Sequence, residues 1–353
     1  MSSCIASYGI AAYAGKEQEN RPAFQDDKRR FGRRAGRAPP VSASGGTVTL
    51  HRLSSITLGV PRLAETMDYY REFGLRDDGD GWFASREGGR QLKLSPAPFR
   101  RLVEMRIGVD DHDDLDRAEA GLRRLGLTSV RGDGSLTATE RVTGVRAVLQ
   151  VEPHLDQPVC AATPYNGPGR YERPGSRAPG VLRMGPVKPR KLGHVVLGST
   201  EHETTLAFFR DGLGFKASDY VKDAAAFLRC STDHHNVLIM KSPVVFPHHS
   251  SWQVDDIDEI GRGATAMLEG RPERHVWGLG RHHAGSNFFW YLRDPAGTFS
   301  EYYSDMDYIP DAQLWHPETF EGARGLFNWG PPPPPSFLHP EDLAAYMTGA
   351  HSA

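Results

Sequence analysis

The sequence predicts an α+β protein built from two copies of one module. Two matched pairs of segments carry that reading. Leu53-Ser54-Ser55-Ile56-Thr57-Leu58-Gly59 resembles Leu192-Gly193-His194-Val195-Val196-Leu197-Gly198 at an offset of 139 residues, and the same offset aligns Tyr69-Tyr70-Arg71 with Phe208-Phe209-Arg210. Further on, Val109-Asp110-Asp111 and the helical stretch to Gly126 recur as Val254-Asp255-Asp256 and the stretch to Gly270. Self-similarity of this kind marks a duplicated unit. Each copy reads as strand, helix and short strands, then strand and helix again with more strands.

Residues 1–46 are polar, Arg-rich and punctuated by Gly and Ser, with basic runs at Lys28-Arg29-Arg30 and Arg33-Arg34. They lack the apolar segment of a secretory signal and read as a disordered leader. The first copy spans 47–153 and the second 188–308. Between them, residues 154–187 are rich in Pro, Gly and Arg and read as a linker. The tail, 309–353, carries Pro331 to Pro335, a predicted polyproline II stretch. Its aromatics (Trp315, Phe327, Trp329, Phe337) predict that it packs on the body.

A net charge of -2 predicts no general attraction to nucleic acid or to an anionic membrane. No apolar run approaches the ~20 residues of a membrane span. Cys4, Cys160 and Cys230 are widely spaced, form no metal or redox motif, and fit a reducing, cytoplasmic setting. Histidines come in pairs at 234–235, 248–249 and 282–283. Neighbours on a strand point to opposite faces, so one member of each pair is expected to be buried and the other exposed.

The copies differ where chemistry is concerned. His194 of the second copy corresponds to Ser55 of the first, His249 to Glu104, and Glu301 to an apolar segment near Val148. His194 lies in an alternating run, Leu192 to Leu197. His249 begins a strand that ends at Val254, and Glu301 follows the Asp294-Pro295-Ala296-Gly297 turn. A single strand histidine is ordinarily a hydrogen-bonded structural residue. A glutamate in an aromatic strand is rarer, and its burial calls for a metal ion, an arginine or a proton. Two histidines and one carboxylate from separate strands can cap one face of an iron ion and leave the other open.

The second copy resembles the catalytic domain of type I extradiol ring-cleavage dioxygenases of the vicinal oxygen chelate superfamily, on the catechol and homoprotocatechuate 2,3-dioxygenase side. The resemblance rests on Gly280-Arg281-His282, the nine-residue step to Tyr291, the ten-residue step to Glu301, and the fourteen-residue step from His235 to His249. It implies two tandem modules, each of paired βαβββ units forming a cup-shaped mixed sheet, with only the second holding metal. It also implies a homo-oligomer. It assigns His194, His249 and Glu301 to Fe(II), with Mn(II) as the alternative ion. His235 becomes the acid–base residue toward O2, and His282 and Tyr291 hydrogen-bond the catecholic substrate. His283 is the rival of His282, and core packing is the rival role for Tyr291.

The sequence departs from the family pattern at two places. Trp277 stands where homoprotocatechuate enzymes carry a carboxylate-gripping arginine, and Ala284 where some dihydroxybiphenyl enzymes carry asparagine. An apolar or aromatic ring substituent follows, unless Arg274, Arg281 or Arg293 compensates. Trp252, Trp277 and Arg293 are the candidate pocket residues, with Met240, Phe246 and Phe288 as further ones. Two other readings use the same scaffold: a glyoxalase-like metal-dependent isomerase, which would draw ligands from both copies, and a metal-free binding protein, for which the ligand set would be coincidental.

Overall fold

The computed structural model describes residues 48–343, so the leader and the last ten residues of the tail lie outside it. The first module runs β1 (Leu50–Val60), α1 (Leu63–Glu72), β2 (Arg76–Asp77), β3 (Trp82–Ser85), β4 (Gly89–Pro96), β5 (Arg101–Val109), α2 (His112–Arg124), β6 (Ser129–Gly132), β7 (Ser135–Thr139) and β8 (Arg146–Val151). A short helix, α3 (Pro179–Leu182), interrupts the connecting segment. The second module repeats the order: β9 (Lys191–Ser199), α4 (His202–Ala207, continued by a π turn through Gly212), β10 (Lys216–Val221), β11 (Ala225–Arg229), β12 (Val237–Lys241), β13 (Phe246–Gln253), α5 (Ile257–Leu268), β14 (His275–Arg281), β15 (Phe288–Arg293) and β16 (Phe299–Ser304).

This is the predicted α+β architecture of doubled βαβββ units. The sheet orders are β2-β3-β4-β1-β5-β8-β7-β6 and β14-β15-β16-β13-β9-β12-β11-β10, with β17 (Thr319–Phe320) of the tail added beside β10. In each module the first strand of one unit pairs antiparallel with the first strand of the other, β1 with β5 and β9 with β13. The last strand of each unit returns parallel to its first. The paired aspartates do the same work in both copies. Asp111 caps α2 by accepting from the Asp114 N–H at 3.0 Å, and Asp256 caps α5 by accepting from Glu259 N–H at 3.1 Å. Gly126 (φ +70°) and Gly270 (φ +68°) then turn the chain out of each helix through the left-handed region, where glycine is favoured.

The modules share one hydrophobic core. Phe73, after α1, stacks on Tyr302 of β16 with centroids 4.0 Å apart and planes 2° apart, and the Tyr302 hydroxyl donates to the Phe73 carbonyl at 2.7 Å. Gly121 of α2 approaches the Gly212 carbonyl so closely that a Cβ there would lie 2.4 Å from the oxygen. The tail crosses the second module: Trp315 donates to the Ser218 carbonyl at 2.8 Å, and Phe337 packs on Tyr291 and Phe299. The proline run is extended only to Pro334 (φ -68°, ψ 152°), because Pro335 opens the short helix α6 (Pro335–Leu338), a position that needs no N–H.

Two outcomes are expected. Phe73→Ala removes a fully buried ring from the intermodule stack and should cost about 3–5 kcal/mol in urea unfolding; a loss below 1 kcal/mol would mean that the modules do not stabilise each other there. Asp294, between β15 and β16, is buried; its Oδ1 accepts from Thr298 N–H at 2.9 Å and its Oδ2 from Tyr70 O–H at 3.3 Å. Burial pushes its carboxyl up to about 7, against the pull of Arg100 and backbone amides. From pH 4 upward the unfolded chain ionises this group while the folded chain keeps the proton, so stability falls until about pH 7, by up to roughly 4 kcal/mol. Asp294→Asn should flatten that fall; superimposable pH profiles for variant and parent would contradict it.

Candidate metal centre

The strand register builds the site. His194 on β9 faces Ser251 on β13, Ser251 faces Glu301 on β16, and Glu301 faces Tyr291 on β15. These four form one lateral row on one face of the sheet. His249, two residues before Ser251, shares that face by the two-residue period of a strand. The small Ser251 side chain between His194 and Glu301 leaves space that a larger residue would fill.

The donors converge. His194 Nε2 and His249 Nε2 are 3.3 Å apart, and Glu301 Oε2 lies 3.2 Å from the first and 3.7 Å from the second. Such a triangle has a circumradius of about 2.0 Å, so all three donors could reach one ion at the usual ~2.0–2.2 Å for nitrogen and oxygen ligands. Glu301 is fully buried; its Oε1 accepts from Asn287 Nδ2 at 3.3 Å, whereas Oε2 has no hydrogen-bond partner. A buried carboxylate oxygen left between two imidazole nitrogens is costly without a cation.

The proton positions around the ligands follow from their partners. His248 Nε2 donates to the Phe337 carbonyl at 2.6 Å, which leaves Nδ1 of the neutral ring as an acceptor. His249 Nδ1, 2.7 Å away, then carries the proton, and its Nε2 lone pair points at the metal position. Burial pushes His248 down to about 4 and His249 well below the usual histidine range, so both are neutral, as a metal ligand must be. On the opposite side, His282 Nδ1 donates to the Leu326 carbonyl, and the Tyr291 hydroxyl lies 2.8 Å from Nε2, to which it donates. Burial lowers His282 and raises Tyr291, so this pair is neutral too.

His194, His235, His249, His282 and Tyr291 line a cavity of about 170 Å³. Its other walls include Val196, Phe227, Leu238, Met240, Lys241 and, from the tail, Leu326 and Phe337. His235 rests 4.1 Å from the His194 ring, between centroids, and burial holds it well below the usual histidine range. The three candidate pocket residues lie elsewhere. Trp252 points to the opposite face of β13 into the core and donates to Ser250. Trp277 stands behind the cavity, stacked on Tyr291 and donating to the Pro331 carbonyl. Arg293 lies over Phe299 and bonds Glu341 near the surface.

The alternation expected within the histidine pairs is absent. His234, His235, His248 and His249 are all buried. A register shift between Pro247 and His249 breaks the alternation in β13, and the tail covers the outer members: Phe337 packs on His248, and Trp315 on His234. The covering residues lie 89 and 81 positions further along the chain, beyond the reach of local pattern. His248, Asn287 and Ser251 were therefore missed; the adjacency of His248 to His249 was the one available signal.

In the first module the same register places Ser55, Arg106 and Val148 in the corresponding row, and Glu104 pairs with Arg106 and Arg146. An ion pair thus stands where the second module gathers its ligands. A second group, His51, Asp110 and His154, also offers metal-ligating atoms near one another, on the partly exposed end of β1.

Comparison with known proteins follows the same lines. Residues 191–302 match the family model of the Glyoxalase/Bleomycin resistance protein/Dioxygenase superfamily. Metapyrocatechase 2 of Cupriavidus necator is 40% identical over 176 residues, which are 48% of this chain and 55% of that one. The chain spans about half the length of the first curated relatives it matches. Homoprotocatechuate 2,3-dioxygenase from Arthrobacter globiformis superposes with a TM-score of 0.66 at 20% identity, over 84% of this chain and 93% of that one. A Mn(II)-bound glyoxalase from Novosphingobium aromaticivorans gives 0.64 at 24%, over 84% and 95%. At these identities the structures establish the shared fold alone.

Glu301→Gln should lower affinity for a divalent ion at least 100-fold in equilibrium dialysis, and His248→Ala, which removes the partner that orients His249, by about 10- to 100-fold. Unchanged stoichiometric metal retention in Glu301→Gln, with a native circular dichroism spectrum, would refute the site.

Proposed function

We propose that this chain belongs to the Glyoxalase/Bleomycin resistance protein/Dioxygenase superfamily, on its type I extradiol branch, and opens the ring of a catechol-type aromatic with O2, beside the diol. Fe(II) is the ion we assign to His194, His249 and Glu301, with Mn(II) as the alternative. The observation that carries the reading is the unpartnered Oε2 of a fully buried Glu301, set among imidazole nitrogens at one end of a small cavity.

When bound, the ion supplies a Lewis-acidic anchor for the two catechol oxygens and the one-electron chemistry that a direct reaction with triplet O2 lacks. The chain's own residues do the rest. His235, neutral on the cavity wall, can take a proton from a catechol hydroxyl and return it to a reduced oxygen. Tyr291, backed by His282 on the Leu326 carbonyl, can hydrogen-bond the substrate oxygen nearest Glu301 when its hydroxyl turns from His282 Nε2, which frees that ring for the same oxygen once it gains a proton. The mostly apolar walls favour an alkyl or aryl ring substituent, with Lys241 also among the lining residues. Both oxygen atoms enter the product, a muconic semialdehyde or its substituted analogue. In this reading residues 188–308 are the catalytic module and 47–153 a structural one, and the tail, 309–353, contributes Leu326 and Phe337 to the cavity wall. It carries with it a cytoplasmic homo-oligomer.

The glyoxalase-like reading finds less support. The ligand group lies wholly in the second module, and Glu104 of the first is already engaged by arginines.

The test is purification without oxygen, metal analysis, and a panel of catechols followed by the absorbance of the yellow ring-opened product. About one iron per chain and turnover of catechol or alkylcatechols in preference to homoprotocatechuate are expected. Zinc or nickel at one per chain without turnover of any catechol would overturn the proposal, as would a chain that retains no metal.

A further inference from the structure

The geometry points to Asp219 and His234 as positioning residues that fix which nitrogen of His235 carries the proton, an inference about the reaction that rests on the ring-opening reading. His234 is fully buried between two cavities: His235 lines the one over the ligands, and Asp219 lines a separate cleft of about 330 Å³ with His283, Asp307 and Trp315. His234 Nε2 lies 2.8 Å from Asp219 Oδ2, and its Nδ1 lies 3.0 Å from His235 Nδ1.

The hydrogen bonds set one direction. Asp219 Oδ1 accepts from the Glu318 backbone N–H at 2.8 Å, so Oδ2 is the atom turned to His234. A carboxylate can only accept, and His234 Nε2 therefore carries a proton. The Nδ1 of a neutral His234 is then an acceptor, so His235 carries its proton on Nδ1. The nitrogen left on the cavity side, Nε2, presents a lone pair, the form needed to take a proton from a substrate hydroxyl. The arrangement has the logic of a carboxylate that holds an imidazole in one tautomer, extended by one ring.

The surroundings hold the two groups in place. Trp315 and Phe227 meet the His234 ring edge-on at 5.3 and 5.7 Å. Gly285 (φ +80°) runs so close that a Cβ there would lie 3.2 Å from His234 Nδ1. The first module has no such pair. With Ile56 opposite Leu92 and Val195 opposite Val237, the register sets Gly89-Arg90 against His234-His235, and Arg90 there pairs with Asp78.

Asp219→Asn tests this. The Glu318 N–H needs the Asn oxygen, which turns the amide N–H2 toward His234 Nε2. His234 must then carry its proton on Nδ1, and His235 its proton on Nε2. Ring 15N NMR of the histidine-labelled, metal-free chain should report Nδ1–H for His235 in the parent and Nε2–H in the variant. With the metal-loaded enzyme, kcat should fall about 100-fold, while anaerobic catechol affinity and metal content stay within twofold. His234→Asn should give the same kinetic pattern, and serves if the first variant does not fold. An unchanged tautomer with unchanged kcat, or a parallel loss of catechol and metal binding, would overturn the inference. A parent that opens no catechol would instead sink the functional reading, and the NMR result would still decide the tautomer.

Discussion

A buried carboxylate oxygen with nothing to bind is the constraint around which the second module is organised. Glu301 lies on β16, fully enclosed, with its Oε2 within 3.7 Å of two imidazole nitrogens. A carboxylate oxygen held this far from bulk solvent, beside two imidazole nitrogens, calls for a positive partner. A divalent ion held by all three atoms satisfies them at once. The surrounding features serve the same end: the small Ser251, the neutral rings, and the hydrogen bonds that turn nitrogen lone pairs inward.

The second tier of that arrangement comes from the tail. The Phe337 carbonyl orients His248 and through it His249; the Leu326 carbonyl orients His282 and through it Tyr291; the Glu318 amide orients Asp219 and through it His234. Each is a backbone group from a segment with little regular structure, and each acts through a histidine. A backbone carbonyl only accepts and an amide only donates, so tautomers set in this way do not depend on side-chain rotamers. The first module, whose corresponding row holds a Glu104–Arg106 ion pair in place of the ligands, supports the second through the Phe73–Tyr302 stack.

The fold was legible in the sequence because its signals are local and repeated. The offset of 139 residues between Ile56 and Val195 equates β1 with β9, and the paired aspartates that cap α2 and α5 mark equivalent helix starts. The ligand candidates stood out for a related reason: duplication supplies its own control, and the first copy carries Ser55, Glu104 and Val148 at the matching positions. The pocket residues were a different matter. Trp252, Trp277 and Arg293 have suitable chemistry, but which face of a strand they occupy, and what covers it, depends on bulges and on distant chain.

By itself, then, the sequence determined the doubled βαβββ architecture, the copy able to gather two histidines and a carboxylate, and a near-neutral net charge. Strand periodicity, helix caps and repeat spacing are written within a few residues of each other, and short-range sterics suffice to read them. Only the tertiary structure decided that both members of two histidine pairs are buried, which ring nitrogen bears each proton, and which side chains wall the cavity. Those outcomes depend on contacts between segments as far apart as His248 and Phe337, 89 residues along the chain, and on the exclusion of water that their packing brings about.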